Sequence, residues 1–336
     1  MKINPAISLV QYNTFGLSVA HKGLIHIHNE DHIYEVLTEG LAPIKILGGG
    51  SNILLTGDLD CYLLHNQIKG INIVDEDEHS TLVEVGAGEP WHQLVLWSLS
   101  HDLGGIENLS LIPGSVGAAP MQNIGAYGVE QEACFHSLRA IHLETGVRTV
   151  FYKDDCQFGY RESIFKHESK DQYFITHVCY LLHKKPHVLH LDYGAIRAVL
   201  EAKAIPYPTI QDVSTAVIDI RTSKLPDPKV VGNAGSFFKN PVISLDHFER
   251  LKSTYPGIPR YPVSTTEVKV PAGWLIESAG YKGMKRGHAG VHKDQALVLV
   301  NHGGATGKEI YALAMDIKCQ VVTQFGIDIS PEVNVW

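Results

Sequence analysis

Residues 113 to 128, PGSVGAAPMQNIGAYG, constrain the fold more than any other part of the chain. Gly114, Ser115, Gly117, Ala118 and Ala119 crowd into the seven positions from Pro113 to Ala119, and Asn123-Ile124-Gly125-Ala126-Tyr127-Gly128 follows. So few large side chains cannot fill a core, yet the run is not polar enough for a disordered linker. Small residues let a backbone approach another surface closely. The composition suits a backbone wrapped around a large ligand.

A second segment, LGGGSN, covers Leu47 to Asn52 and sits between the apolar runs Ile44–Leu47 and Ile53-Leu54-Leu55. Consecutive glycines between two strand-like runs can turn their amides toward an anion such as a pyrophosphate. On its own the pattern is more often just a loop. A third segment, NAGSFFKNP from Asn233 to Pro241, holds one hydroxyl, Ser236, between Gly235 and the aromatics Phe237 and Phe238. The aromatics can anchor the segment in a core and hold the hydroxyl in one place, as a single weak acid or nucleophile requires.

Together these segments closely resemble the UDP-N-acetylenolpyruvoylglucosamine reductase family. The resemblance runs from about Asn13 to the C-terminus. It is carried, in order, by LGGGSN, IPGSVGAAPMQNIGAYGVE, FGYRESIFK, LDYG, RTSKLPDPKV, GNAGSFFKNP, AGWLIESAG and the terminal PEV. LDYG matches the tyrosine loop of the longer of the family's two subtypes. The resemblance implies an α+β fold: a flavin-binding part in two subdomains, like that of vanillyl-alcohol oxidases, and a separate α+β substrate domain. The expected division is residues 1–70 joined by 325–336, then 71–222, then 223–324 for substrate.

The family reduces an enol ether that carries a carboxylate. Hydride adds to the terminal vinyl carbon, and charge develops on the carbon bearing the carboxylate. No side chain donates hydride, so a cofactor must; the resemblance implies FAD, reduced by NADPH. Ser236 matches the family's proton-donating serine. A hydroxyl is a poor acid in water, but an enediolate is a strong enough base to take its proton. Arg161, in FGYRESIFK, matches the catalytic arginine, whose planar guanidinium can fork onto a carboxylate. Glu332, in the terminal PEV, matches the catalytic glutamate.

Tyr193, Lys224, Asn240 and Gln295 match positions that contact the sugar nucleotide. Gly48, Gly49, Gly50, Ser51, Asn52, Pro113, Gly114, Ser115, Gly117, Asn123, Gly125, Ala126 and Tyr127 are the expected flavin contacts. The resemblance implies a small UDP-sugar enolpyruvyl ether as substrate and no metal. Two alternatives stay open. One is a vanillyl-alcohol-type oxidase, which would leave RTSKLPDPK and GNAGSFFKNP unexplained. The other is a flavin-binding protein without catalysis, against which the retention of Arg161, Ser236 and Glu332 argues.

The chain of 336 residues has room for two or three domains and a sizeable core. Its net charge of −8 argues against general nucleic-acid binding. There is no signal-peptide h-region and no run of membrane-spanning length. The odd, scattered cysteines Cys61, Cys134, Cys156, Cys179 and Cys319 read as reduced thiols. A cytoplasmic monomer is expected, bound to neither nucleic acid nor membrane.

Residues 1 to about 70 read as short strands and tight turns. Strands are expected at Ile71–Val74, Thr81–Val85, Leu138–Leu143, Arg148–Tyr152, Tyr173–Leu182, Ala296–Asn301 and Ile327–Val335. Helices are expected from Pro90 to about His101, with Trp91, Leu94, Val95 and Leu99 in the core, and over Ala195–Ala202, Ile210–Thr222 and Glu309–Phe325. GGATGKE, Gly303 to Glu309, superficially matches a phosphate loop. Its spacing is one residue short and Glu309 replaces the Ser or Thr that would hold magnesium, so a helix-start turn is expected. His183, His187 and His190 are read as a solvated junction and not a metal site.

Overall fold

The computed structural model describes residues 2–5, 7–193 and 195–336. Gly194 of LDYG lies outside the described residues. Contacts divide the chain into two compact units. The first comprises Met1–Ile7, His21–Gly49 and Leu59–Ser223, and the second Ser8–Ala20, Gly50–Asp58 and Lys224–Trp336. Residues 8–20 and 50–58 thus group with the C-terminal third of the chain.

Two sheets build the first unit. One has the order Ile3–Asn4, His21–Ile27, Leu59–Asn66, Ile44–Leu47, and its last three strands are parallel. Parallel neighbours need a crossover, and the helix Glu30–Thr38 lies on the connection between His21–Ile27 and Ile44–Leu47. The expectation of strands and turns alone before residue 70 is therefore corrected. The missed signal was local: Asn29 caps the helix by accepting from the His32 N–H, Glu30 and Asp31 fill the first turn, and Ile33 and Val36 form the buried face. Ile25, Ile27, Leu64 and Phe174 pack around that face.

The other sheet is antiparallel, in the order Arg148–Tyr152, Phe135–His142, Tyr173–His183, Ser80–Gly86, Ile71–Glu76. All five strands occur where they are expected; Arg148–Tyr152 keeps its expected bounds and the other four have displaced ends. The helix Trp91–Ser100 has Pro90 as its N-cap, so the proline sits one place before the first turn. Trp91, Leu94 and Val95 are buried as expected, whereas Leu99 is half-buried. The indole N–H of Trp91 donates to the Leu109 carbonyl at 3.0 Å. This fixes the helix to the turn that precedes the small-residue segment. The helices Ile196–Ala202 and Ile210–Lys224 pair through Ile196, Leu200, Val213 and Val217.

The second unit contains an antiparallel sheet in the order Gly232–Ser236, Val298–Asn301, Ala289–Val291, Lys285–Arg286. The helix Gly307–Phe325 packs on its middle strands. Thr306 and Glu309 form a reciprocal capping box at its start, so GGATGKE is the helix-start turn that its spacing predicts. A Cβ on Gly307 would stand 1.7 Å from the Leu55 carbonyl oxygen, which restricts that position to glycine. The expected strand Ile327–Val335 shrinks to Asn334–Val335, parallel to Ile53–Leu54, plus a bridge between Pro331 and Phe238. Pro331 has no N–H to donate, and this interrupts a regular ladder.

Candidate active site

In the first unit, the small-residue segment is held by its own backbone. Val116 N–H donates to Glu89 O and Gly117 N–H to Ala87 O, both at 2.8 Å, while Ala118 and Ala119 donate to Ser115 and Val116. These four amides are spent on protein acceptors and are not offered to a ligand. The glycines instead permit close approach. A Cβ on Gly48 would lie 2.6 Å from Ser115 Oγ, one on Gly49 2.9 Å from Gly114 Cα, and one on Gly117 2.6 Å from Ala87 Cβ. Gly48–Gly49 and Gly114–Ser115 therefore run backbone against backbone. Ser51 and Asn52 belong to the second unit, as does Gly50, whose added Cβ would lie 1.9 Å from Tyr12 O.

The end of the segment is a hairpin. Gly125 pairs with Glu130 and Ala126 with Val129 around Tyr127-Gly128, both of which have positive φ (51° and 81°). That is the backbone of a type I′ turn, whose twist matches its strands. Asn123, also left-handed and fully buried, anchors the hairpin. Its Nδ2 donates to Glu130 Oε2 at 3.0 Å and Gly159 O at 3.2 Å, and its Oδ1 accepts from Glu132 N at 3.2 Å.

Arg161 reaches this hairpin. Its Nη2 donates to Gly125 O at 2.5 Å, and its Nη1 lies 3.7 Å from Glu130 Oε1. The guanidinium stands 5.2 Å from the centre of the Tyr160 ring. Tyr193, 48% exposed, meets Tyr127 edge to face at 6.5 Å. Buried Asn108 links the two tyrosine segments, donating to Tyr127 O at 3.0 Å and His190 O at 2.8 Å.

Arg221 was missed by the residue-by-residue reading, although it opens RTSKLPDPKV. Its Nε is buried without a protein partner among the described residues. Burial lowers its pKa, against an opposing pull from Tyr127. Burial, opposed by Arg221, raises that of Tyr127. A buried guanidinium N–H without a protein acceptor is suited to an anionic or carbonyl oxygen of a ligand.

In the second unit, the strand Gly232–Ser236 carries a bulge between Asn233 and Ser236, with Gly235 left-handed at φ 69°. Asn233 is buried and accepts from Gly235 N at 2.9 Å. A bulge re-aims the side chain that follows it. Ser236 is exposed while Phe237 and Phe238 are buried, so the aromatics anchor the hydroxyl as expected. Phe237 N–H donates to Leu297 O on one side, and Phe237 O accepts from Glu332 N–H on the other, both at 2.8 Å. The Glu332 backbone is thereby held beside the residue that follows Ser236.

Asn52 holds Glu332 from the other side. Its Nδ2 donates to Glu332 O at 3.2 Å, and its carbonyl accepts from Asn334 N at 3.0 Å. Asn240 Oδ1 accepts from Ala272 N at 2.9 Å, at the start of the helix Ala272–Ser278. Gln295 lies near Gly273 of the same turn. Lys224 is exposed.

His183, His187 and His190 line a cavity of about 350 Å³ in the first unit, with Cys134 and His79. Among the described residues, no three His, Cys, Asp or Glu side chains are placed to hold a metal. The five cysteines are unpaired. Burial, helped by Glu107, pushes the Cys134 thiol up to about 12.

Two family profiles match the sequence: an FAD binding domain over residues 22–150, and the C-terminal domain of UDP-N-acetylenolpyruvoylglucosamine reductase over 227–336. A UDP-N-acetylenolpyruvoylglucosamine reductase of Flavobacterium johnsoniae is 52% identical over 336 residues, all of both chains. One of Pseudomonas aeruginosa is 47% identical over 339 residues, covering 100% of this chain and 99% of the relative. The structure of a Thermus caldophilus UDP-N-acetylenolpyruvylglucosamine reductase aligns with TM-score 0.70 at 22% identity, over 100% of this chain and 99% of that one. The 4-ethylphenol oxidase of Gulosibacter chungangensis aligns with TM-score 0.54 at 12% identity, over 99% and 86%, and shares the fold. The fold is thus the α+β flavin-binding fold that the motifs imply, and the chain belongs to the UDP-N-acetylenolpyruvoylglucosamine reductase family.

Proposed function

We propose that this protein reduces the enolpyruvyl ether of a UDP-N-acetylglucosamine enolpyruvate to the lactyl ether, with NADPH as electron donor and Ser236 as proton donor. The product would be UDP-N-acetylmuramate, a peptidoglycan precursor. The chain is a flavin-dependent oxidoreductase of its family, with FAD as cofactor. The observation that carries the finer reading is the bulged strand at Ser236. It leaves one exposed hydroxyl followed by two buried aromatics, with Glu332 tied to the next residue.

The residues present fit FAD. Gly48, Gly49 and Gly117 let their segments pack closely enough on Ser115, Gly114 and Ala87 to gather the proposed contacts, and the buried Arg221 Nε offers a donor beside Tyr127. Pro113, Gly114, Ser115, Asn123, Gly125, Ala126 and Tyr127 complete the proposed contacts in that unit, and Gly50, Ser51 and Asn52 those in the other. FAD, when bound, supplies the hydride.

The remaining work falls to side chains. Arg161 pairs with the substrate carboxylate and stabilises the charge that develops there. Ser236 protonates the carbon bearing the carboxylate. Glu332, near that carboxylate, is protonated or paired, because two like charges do not both ionise cheaply. Lys224 meets a phosphate as a point charge, Tyr193 covers the sugar nucleotide, and Asn240 and Gln295 contact it. We assign residues 71–222 with 1–70 and 325–336 to flavin binding and 223–324 to substrate. We also place the protein in the cytoplasm as a monomer, which its unpaired thiols fit as regards compartment.

The experiment is direct. The purified protein should be yellow, bleach with NADPH, and regain colour when the enolpyruvyl sugar nucleotide is added. Colourless protein that takes up no added FAD would overturn the reading. Light scattering checks the monomer.

A further inference from the structure

We propose that Glu130 is a positioning residue that sets the Arg161 guanidinium, and that Asn123 holds it to that task. The inference rests on the reading of Arg161 as the partner of the substrate carboxylate.

Two of the groups that the Arg161 guanidinium meets belong to one hairpin. Gly125, whose carbonyl accepts from Nη2, is the cross-strand partner of Glu130, whose Oε1 faces Nη1. Any shift of the hairpin therefore moves both contacts together. The turn bearing Arg161 is closed by reciprocal bonds between Gly159 and Glu162, each 3.1 Å, and Arg161 itself is left-handed at φ 58°. Lys166 Nζ donates to the Arg161 carbonyl at 3.1 Å.

One buried amide ties these parts to each other. Asn123 Nδ2 donates both to Glu130 Oε2 and to Gly159 O. It thus fixes the carboxylate and the turn that carries the guanidinium from a single point. Asn123 is itself pinned by the Glu132 N–H. The 3.7 Å between Glu130 Oε1 and Arg161 Nη1 is longer than the hydrogen bonds of the two-point fork by which a carboxylate grips a guanidinium most strongly. Such a contact orients the cation and offsets its charge, yet an incoming carboxylate displaces it at lower cost than a fork.

The test uses FAD-loaded Glu130→Gln and Glu130→Asp, each alone and combined with Arg161→Lys. Three quantities are read: flavin reduction by NADPH, reoxidation by the enolpyruvyl sugar nucleotide, and calorimetric affinity for that nucleotide. Glu130→Gln should slow reoxidation about 10- to 100-fold, the scale expected of a catalytic group misplaced by roughly 1 Å. Flavin reduction should keep its wild-type rate, and affinity should change far less than reoxidation. Glu130→Asp, which keeps the charge, should recover part of the loss. In the Arg161→Lys background the penalty of either substitution should largely vanish, since Glu130 acts through Arg161.

Equal slowing of both half-reactions, or penalties that simply multiply with Arg161→Lys, would overturn the proposal and leave a purely structural ion pair. If Glu130→Gln does not fold, the Glu130→Asp cycle decides in the same way. If Arg161→Lys slows reoxidation and neither Glu130 variant does, this inference alone fails. If Arg161→Lys has no effect, the reading of Arg161 fails with it.

Discussion

The backbone N–H of Glu332 donates to the carbonyl of Phe237 at 2.8 Å. Through this bond the last residues of the chain lie beside the bulged strand that ends in Ser236. Lys239 N–H adds a bond to Ser330 O at 2.9 Å, and Pro331 bridges Phe238. The two proposed catalytic groups of this unit are thus positioned by main chain, whatever their side chains do.

Ser236→Ala should separate the two half-reactions. Flavin reduction by NADPH needs no proton donor to substrate and should proceed nearly normally. Reoxidation by substrate should slow by roughly 10²–10⁴-fold, the range for a positioned general acid. Ser236→Cys should recover part of the rate. Stopped-flow absorbance follows each step, and equal slowing of both would mean that Ser236 shapes the flavin site instead.

Asn52→Ala should loosen the segment that carries Glu332. It removes the bond to Glu332 O and leaves the strand pairing at Asn334 in place. A loss of about 1 kcal/mol is expected, the usual net value of one intramolecular hydrogen bond. Urea unfolding measures it, and faster hydrogen exchange at Glu332 than at Val300 should accompany it.

Gly125→Val should weaken flavin retention and disturb Arg161. A Cβ there would stand 2.7 Å from Glu130 Cγ, 3.0 Å from Val129 O and 3.0 Å from Arg161 Nη1. Gly57→Ala is the control, because a Cβ at Gly57 meets nothing within 4 Å. FAD content by absorbance compares the two. Normal content in Gly125→Val would remove Gly125 from the flavin site.

Lys224→Ala should raise KM for the sugar nucleotide more than it lowers FAD content. Its ammonium is exposed and its proposed contact is with phosphate. Tyr193→Phe should act in the same direction more mildly, keeping the ring that meets Tyr127. Wild-type KM in either variant would mean a misassigned phosphate contact.

Stability should fall as pH drops from about 6.5 toward 4, partly through His65. Burial, with the charges of His26, Lys69 and His28, lowers its pKa to about 4. Its Nδ1 lies 3.0 Å from that of His26. The folded state therefore binds a proton less readily than the unfolded chain. The stabilisation is complete above the unfolded value near 6.5 and is lost as pH falls toward the folded one. Urea midpoints measured between pH 7 and 4 should show a shallower decline in His65→Asn than in wild type.

Much of the local structure could be read along the chain. The capping box at Thr306 and Glu309, the proline before Trp91 and the apolar alternation of the antiparallel strands all act within a few residues. The helix Glu30–Thr38 was equally legible from Asn29 and its acidic first turn, but the glycines and asparagines around it obscured the signal. The motifs also pointed to the family, since the spacing of glycines, Arg161, Ser236 and Glu332 along the chain is itself a sequence property.

Tertiary structure decided the rest. It assigned the amides of Val116 and Gly117 to Glu89 and Ala87, placed Glu130 against Arg161, and left the Arg221 Nε without a protein partner among the described residues. It also reduced the expected final strand to two residues while setting Glu332 beside Phe237. Nearly every residue carries the same backbone donor and acceptor, so the chain bears no mark of which distant partner each will meet. Packing of the whole chain chooses those partners, and with them which polar groups remain to meet a ligand.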